Sequence, residues 1–238
     1  MVGILVLADC ALTAAQLIRL AKPLGVSATN VKSHLTRMVA EGILEREGPA
    51  RNATYRHSSR QAFVIEGILD RLRAPDEAWD GKWWMIALNE PKERRNREQL
   101  HGALWFEGWR AIAPNVLIRP AWGTTIHGAA GVCMRGEFIS HVIDPARLYD
   151  LDGLDSAASG LASWVERHAA RTTSPRAAFV ARMKVGGRVA QFIGHDPQLP
   201  PGIWGQRSGM RALYESFRRF EERIAPQAQK FVEEAKTG

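Results

Sequence analysis

The residues of this chain best suited to chemistry lie between Thr29 and Arg56. Thr29, Lys32, Ser33, Thr36 and Arg37 recur at i, i+3, i+4, i+7 and i+8, a spacing that gathers them, with Asn30 alongside, on one face of a helix. Hydroxyl, amide and cationic side chains in one row suit a major groove, which offers donors and acceptors on base edges and negative charge on the flanking phosphates. The same row on a purely structural helix would be a solvated face. The next segment of the chain favours the first reading. Residues 43–47 and 53–57 read as short strands joined by Gly48-Pro49-Ala50-Arg51-Asn52, a hairpin with a basic tip. Arg51, Asn52 and Arg56 are placed there to meet phosphates or the minor groove. Helix, turn, helix and basic hairpin in this order predict a winged helix-turn-helix that binds double-stranded DNA.

Other chemistry finds little support. The seven histidines lack ligand spacing such as H-x-x-x-H, and His127 and His141 read as ordinary core or surface residues. Cys10 and Cys133 are the only cysteines, too few and too far apart for a disulfide framework or a four-ligand zinc site. Both read as buried thiols. A metal-dependent nuclease is the rival from another class, but it needs converging carboxylates. The end of the first central strand offers only Asn89-Glu90. No catalytic residue, metal or cofactor is therefore expected. The basic run Lys92, Arg94, Arg95 and Arg97 is interspersed with Glu90, Glu93 and Glu98, the pattern of a solvated helix face.

Several elements must position the polar row. Thr13 and Gln16 form a capping-box pair ahead of the stripe Leu17, Ile18, Leu20 and Ala21, and Pro23 and Gly25 end that helix. Ser27 caps the next helix, whose Val31, Leu35, Met38 and Val39 face a core, and Gly42 closes it. Residues 58–73 read as an amphipathic linker helix ended by Ala74-Pro75. Beyond it, residues 82–88 read as a strand, 94–107 as a helix, 115–119 as a strand and 131–142 as further strands. That run suggests a ferredoxin-like sheet. Six of the eight tryptophans (Trp79, Trp83, Trp84, Trp105, Trp109 and Trp122) fall in this stretch. Most belong to a core, with one or two available to line a pocket for a planar ligand. A helix lies within 145–170. Residues 175–184 also look helical, with a break at Gly186-Gly187, and a final amphipathic helix covers 209–231. The expected class is α+β in three parts: 1–73 DNA-binding, 74–145 ferredoxin-like and 146–238 mainly helical.

Composition agrees with a packed globular protein, at 45% hydrophobic and 24% charged over 238 residues. No run of about 18 apolar residues suggests a membrane span, and a cytoplasmic protein is expected. The net charge of +7 is concentrated at the front, where residues 1–73 hold 10 Lys/Arg against 6 Asp/Glu. Residues 74–200 hold 15 against 14, so the polyanion-binding signal belongs to the first third.

Three stretches then carry a family resemblance. LIRLAKPLGVSATNVKSHLTRMVAEGILERE with the later TYRHS, WDGKWWMIALNEPKERRNREQLHGALWFEGWRAIAPNVLIRP, and HDPQLPPGIW together resemble the PaaX family of bacterial transcriptional regulators. At Gly202-Ile203-Trp204-Gly205 the chain departs from the family's longer leucine, proline and tryptophan pattern. The resemblance implies a homodimeric repressor on a partly palindromic operator, with a winged helix, a ferredoxin-like module resembling a small CRISPR-associated nuclease, and a helical C-terminal part. It further implies control of phenylacetate-type aromatic catabolism, relieved by an aryl-CoA thioester such as phenylacetyl-CoA. For that effector, Arg119, Arg182 and Arg188 are the candidate phosphate partners, and Trp84 and Trp122 the candidate acyl walls. An effector-independent architectural DNA-binding protein is the remaining alternative.

Overall fold

The computed structural model describes residues 2–49, 52–62, 65–66, 78–122, 131–138, 143–169 and 174–237. It is an α+β protein with two small antiparallel sheets and a helical C-terminal part. The chain divides into two compact units. The first comprises Met1–Asp70, Leu161–Gln191 and Leu213–Gly238, and the second Arg71–Gly160 and Phe192–Ala212.

The first unit opens with helix α1 (Val2–Ala8) and the short strand β1 (Leu12–Thr13). Helix α2 (Ala14–Ala21) begins at the expected capping box. The Thr13 hydroxyl accepts from the Gln16 amide at 3.3 Å, while the Gln16 side chain accepts from the Thr13 amide at 2.8 Å. Two otherwise orphaned donors are thereby satisfied. A 3₁₀ turn (Lys22–Leu24) ends at Gly25, whose φ of +77° is the left-handed conformation that favours glycine. Helix α3 (Ala28–Ala40) then starts at Ser27, whose hydroxyl accepts from the Asn30 amide at 3.2 Å. Strands β2 (Leu44–Glu47) and β3 (Thr54–His57) form a hairpin, and β1 joins it in the order β1-β3-β2. Leu17, Leu20, Val31, Leu35 and Leu44 are buried, together with Ile4 and Leu5 of α1. Helix α1 is thus part of the core, although no helix is expected there from the sequence pattern.

The second unit is built on strands β4 (Trp83–Leu88), β5 (Arg110–Ala113), β6 (Val116–Pro120) and β7 (Gly131–Gly136), with helix α4 (Arg94–Phe106) between β4 and β5. The spatial order is β5-β6-β4-β7, antiparallel throughout. Alternation divides its side chains between two cores. Ile86, Leu88 and Leu117 pack with Leu104 of α4 and Trp109. Trp83 and Ile118 pack with Tyr149, Leu151 and Leu199. The buried Tyr149 hydroxyl donates to the Gly108 carbonyl at 3.0 Å, and burial raises its pKa. At Gly108, φ is +88° and a Cβ would stand 2.5 Å from the Pro197 carbonyl oxygen, so only glycine fits.

The helical part consists of α5 (Pro145–Leu148), α6 (Leu151–Ala169), α7 (Pro175–Ile193), α8 (Pro201–Trp204) and α9 (Gly209–Thr237). Within the first unit, Phe179 of α7 meets Phe231 of α9 at 5.2 Å between ring centroids. Arg182 pairs with Glu221 at 2.7 Å. The end of α9 returns to the N-terminal helices: Gln16 Nε2 donates to the Lys236 carbonyl at 3.0 Å, and Lys236 Nζ to the Ala8 carbonyl at 3.2 Å.

Two expectations are corrected. Helix α7 runs straight through Gly186-Gly187. Glycine costs about 1 kcal/mol in a helix, but Val185, Val189 and Ile193 are buried along this stretch, and their packing outweighs that cost. Cys10 and Cys133 are both exposed rather than buried. Cys133 lies on β7 at the sheet edge, and Cys10 lies just beyond the end of α1, where neither element provides cover.

Candidate nucleic-acid interface

Helix α3 sorts its side chains as the spacing predicts. Val31 and Leu35 are buried, whereas Thr29, Asn30, Lys32, Ser33, Thr36 and Arg37 are not. The structure therefore brings the whole expected row together on one solvent-facing surface. Its members differ in how far they are already engaged. The Thr36 hydroxyl donates to the Lys32 carbonyl at 3.1 Å, a local bond that leaves its lone pairs outward. Arg37 lies 3.1 Å from His34 Nδ1 and 3.8 Å from Glu41, contacts that solvent screens strongly at 60% side-chain exposure. Among the described residues Lys32 has no ion-pair partner, so its ammonium is available to a polyanion.

The hairpin pairs Leu44 with His57, Glu45 with Arg56, Arg46 with Tyr55 and Glu47 with Thr54. That register places Arg56 against two carboxylates: Glu45 at 2.9 Å and Glu47 at 2.8 Å. Arg56 is exposed, yet the trio carries a net charge of −1, and its guanidinium is already occupied. Asn52 is exposed near the tip, and Arg51 lies outside the described residues. Two exposed cations absent from the expected set, Lys22 before α3 and Arg46 on β2, have no ion-pair partner among the described residues. The signal that could have found Arg46 was alternation in β2, which sets it on the opposite side of the strand from Glu45 and Glu47. His57, at the end of β3, has both ring nitrogens buried without a hydrogen-bond partner among the described residues, and burial lowers its pKa.

The five effector candidates are divided between the units. In the second, Arg119 is 5% exposed, donates to the Trp122 carbonyl at 3.5 Å and lies 5.9 Å from the Trp109 ring centre. Trp122 is buried, and Trp84 is partly buried with Arg135 5.8 Å from its ring centre. In the first, Arg182 is engaged by Glu221, and Arg188 sits 4.6 Å over the Trp164 ring. The basic run before and within α4 is paired as expected of a solvated face. Arg94 bonds Glu98 at 2.7 Å, and Glu90 lies 3.9 Å from Arg97 and 2.8 Å from His101. Among the described residues no group of three or more His, Cys, Asp or Glu could hold a metal ion. No described helix is long and apolar enough to cross a membrane.

Residues 4–61 match the family model described as PaaX-like protein, and residues 155–234 match that of the PaaX-like protein C-terminal domain. Transcriptional repressor PaaX of Escherichia coli (strain K12) is 22% identical over 237 residues, covering 89% of this chain and 73% of the relative. Among solved structures, the uncharacterized protein Rv0674 from Mycobacterium tuberculosis superposes with a TM-score of 0.63 at 22% identity. That match covers 94% of this chain and 95% of the other, a likeness of fold. With both its N-terminal and its C-terminal stretches matched, this chain belongs to the PaaX family, whose members are transcriptional regulators rather than enzymes.

Proposed function

We propose that the protein is a transcriptional repressor that reads duplex DNA through α3. The observation that carries this reading is the solvent-facing row Thr29, Asn30, Lys32, Ser33, Thr36 and Arg37 opposite buried Val31 and Leu35, with a hairpin immediately after it. Helices α2 and α3 with the β1-β3-β2 sheet support reading this part as a winged helix-turn-helix. In that reading α3 enters the major groove and the hairpin lies over the adjacent backbone. Lys32 and Arg37 supply phosphate contacts, with Lys22, Arg46 and Arg51 as further sources of positive charge. Thr29, Asn30, Ser33 and Thr36 contact base edges. Arg56 organises the hairpin through Glu45 and Glu47 instead of meeting phosphate.

Two copies related by a dyad would read a partly palindromic operator with half-sites one helical turn, or a multiple, apart. The strand order of the second unit, with α4 joining β4 to β5, supports reading residues 74–145 as a ferredoxin-like module that stands in the chain between the DNA-binding part (1–73) and the helical part (146–238). Family membership and the relative's name support the repressor role; the sequence resemblance extends it to a cytoplasmic regulator of an aromatic, phenylacetate-type operon. An aryl-CoA thioester such as phenylacetyl-CoA is the proposed effector. It releases DNA only by binding the DNA-incompetent arrangement more tightly, and a tenfold release needs about 1.4 kcal/mol of difference. Of the candidate phosphate partners, Arg188 is the most exposed, since Arg182 is held by Glu221 and Arg119 is buried.

The test is fluorescence-anisotropy titration of the full chain on its own upstream DNA with excess unrelated competitor, followed by phenylacetyl-CoA and other acyl-CoAs. Competitor-resistant binding that is lost in the double variant Lys32→Ala/Arg37→Ala supports the reading. Normal binding by that variant overturns the assignment of α3. Binding that no acyl-CoA changes indicates an effector-independent DNA-binding protein.

A further inference from the structure

The second unit contains a cavity of about 340 Å³ whose lining includes Trp79, Trp83, Phe138, Ile143, Asp144 and Ile203. None of these residues takes part in the DNA reading or in the effector assignments above. The volume falls at the small end of the range typical of small-molecule sites, roughly 300–1,000 Å³. Its aromatic wall is set at steep angles: Trp79 and Trp83 meet edge to face at 5.7 Å and 84°, and Trp83 and Phe138 at 5.9 Å and 62°. Trp83 is fixed by the surrounding core. The Trp79 indole N–H is spent on the Lys82 carbonyl at 2.8 Å, so this ring can offer an occupant only its apolar and π surface.

Among the described residues, Asp144 is the only charged member of the lining. Its Oδ1 accepts from the Ala146 amide at 2.9 Å, capping α5, and Oδ2 has no hydrogen-bond partner among the described residues. Arg207, which feels the Asp144 charge, is held by Asp152 at 2.8 Å. Aromatic rings beside one carboxylate, with no cation among the described lining residues, disfavour an anionic occupant and favour a ring that carries a positive charge or a strong donor.

We propose that this cavity is a binding site for a small arylalkylamine, with the ring against Trp79, Trp83 and Phe138 and the ammonium on Asp144. This goes beyond the DNA reading and does not depend on it. The experiment is isothermal titration calorimetry of the full-length protein with two probes of nearly equal shape and opposite charge, 2-phenylethylamine and phenylacetate. The amine is expected to bind at least tenfold more tightly. Asp144→Asn keeps a good helix cap and should reduce that preference to about twofold or less. Trp79→Ala should weaken amine binding at least fivefold, with circular dichroism confirming that both variants are folded. The proposal is overturned if neither probe binds at millimolar concentration or if phenylacetate binds as well as the amine. It is equally overturned if the preference survives in folded Asp144→Asn, or if amine affinity is unchanged in folded Trp79→Ala.

Discussion

Lys32 and Arg56 are both exposed cations of the proposed DNA-binding surface, yet they differ in how far they are already paired, and salt dependence separates the roles proposed for them. Lys32 has no ion-pair partner among the described residues, whereas Arg56 is held between Glu45 and Glu47 at 2.9 and 2.8 Å. Each phosphate contact contributes about 0.9 to the slope of log affinity against log salt. Lys32→Ala should therefore lower that slope by about 0.9 per bound protomer. Over a fourfold rise in salt, wild-type affinity then falls roughly 3.5-fold more than the variant's for each contacting protomer, and about 12-fold more if two protomers bind. The double variant Glu45→Gln/Glu47→Gln should act in the other direction. It removes two exposed ion pairs, each worth about 0.2–1 kcal/mol, and frees the Arg56 guanidinium for phosphate, raising the slope by about 0.9 per protomer. Both residues lie on a solvent-facing hairpin, at 41% and 56% side-chain exposure, so the fold should tolerate the change. The assay is anisotropy of labelled upstream DNA over a roughly fourfold range of salt, from about 50 to about 200 mM. An unchanged slope for Lys32→Ala, or an unchanged or lower slope for the glutamine pair, would refute the reasoning.

Three further outcomes depend on single residues. Burial lowers the His57 pKa below its ordinary value of 6.5, so the unfolded chain binds more protons than the native one once pH falls below that value. Its stabilising contribution is complete above about pH 6.5 and declines as pH drops through the folded pKa. Urea titrations at several pH values should show that decline, and His57→Phe should flatten it. Gly187 lies inside α7, where an added Cβ would meet nothing within 4 Å, so Gly187→Ala should stabilise the protein by about 0.5–1 kcal/mol, seen as a raised Tm. Gly108→Ala should instead destabilise by at least about 1–3 kcal/mol, because φ of +88° and the Pro197 carbonyl both exclude a side chain; a denaturation midpoint equal to wild type would contradict this.

Much of the first unit was legible because its signals are local. The Thr13/Gln16 capping box, the Ser27 cap and the separation of Val31 and Leu35 from Lys32, Ser33 and Thr36 each act within a few residues, where backbone geometry leaves few alternatives. The strands on either side of the Gly48 turn were readable for the same reason, as was, in the second unit, the solvated face on which Arg94, Arg95 and Arg97 mix with Glu93 and Glu98.

Other features depend on partners distant in the chain. Helix α1 is a short apolar segment whose place is set by burial of Ile4 and Leu5, not by a periodic pattern of its own. The passage of α7 through Gly186-Gly187 depends on packing of Val185 and Val189, which outweighs glycine's unfavourable helix propensity. Exposure of Cys133 reflects the position of β7 at a sheet edge. The engagement of Arg56 required the strand register that sets it opposite Glu45. The sequence by itself determined which residues share a face, since helix and strand periods are fixed by the backbone. Only the tertiary structure decided which of those faces are covered, which charges are already paired, and that α9 returns to the N-terminal helices through Gln16 and Lys236, because those outcomes are set by burial and contact between segments that local rules do not connect.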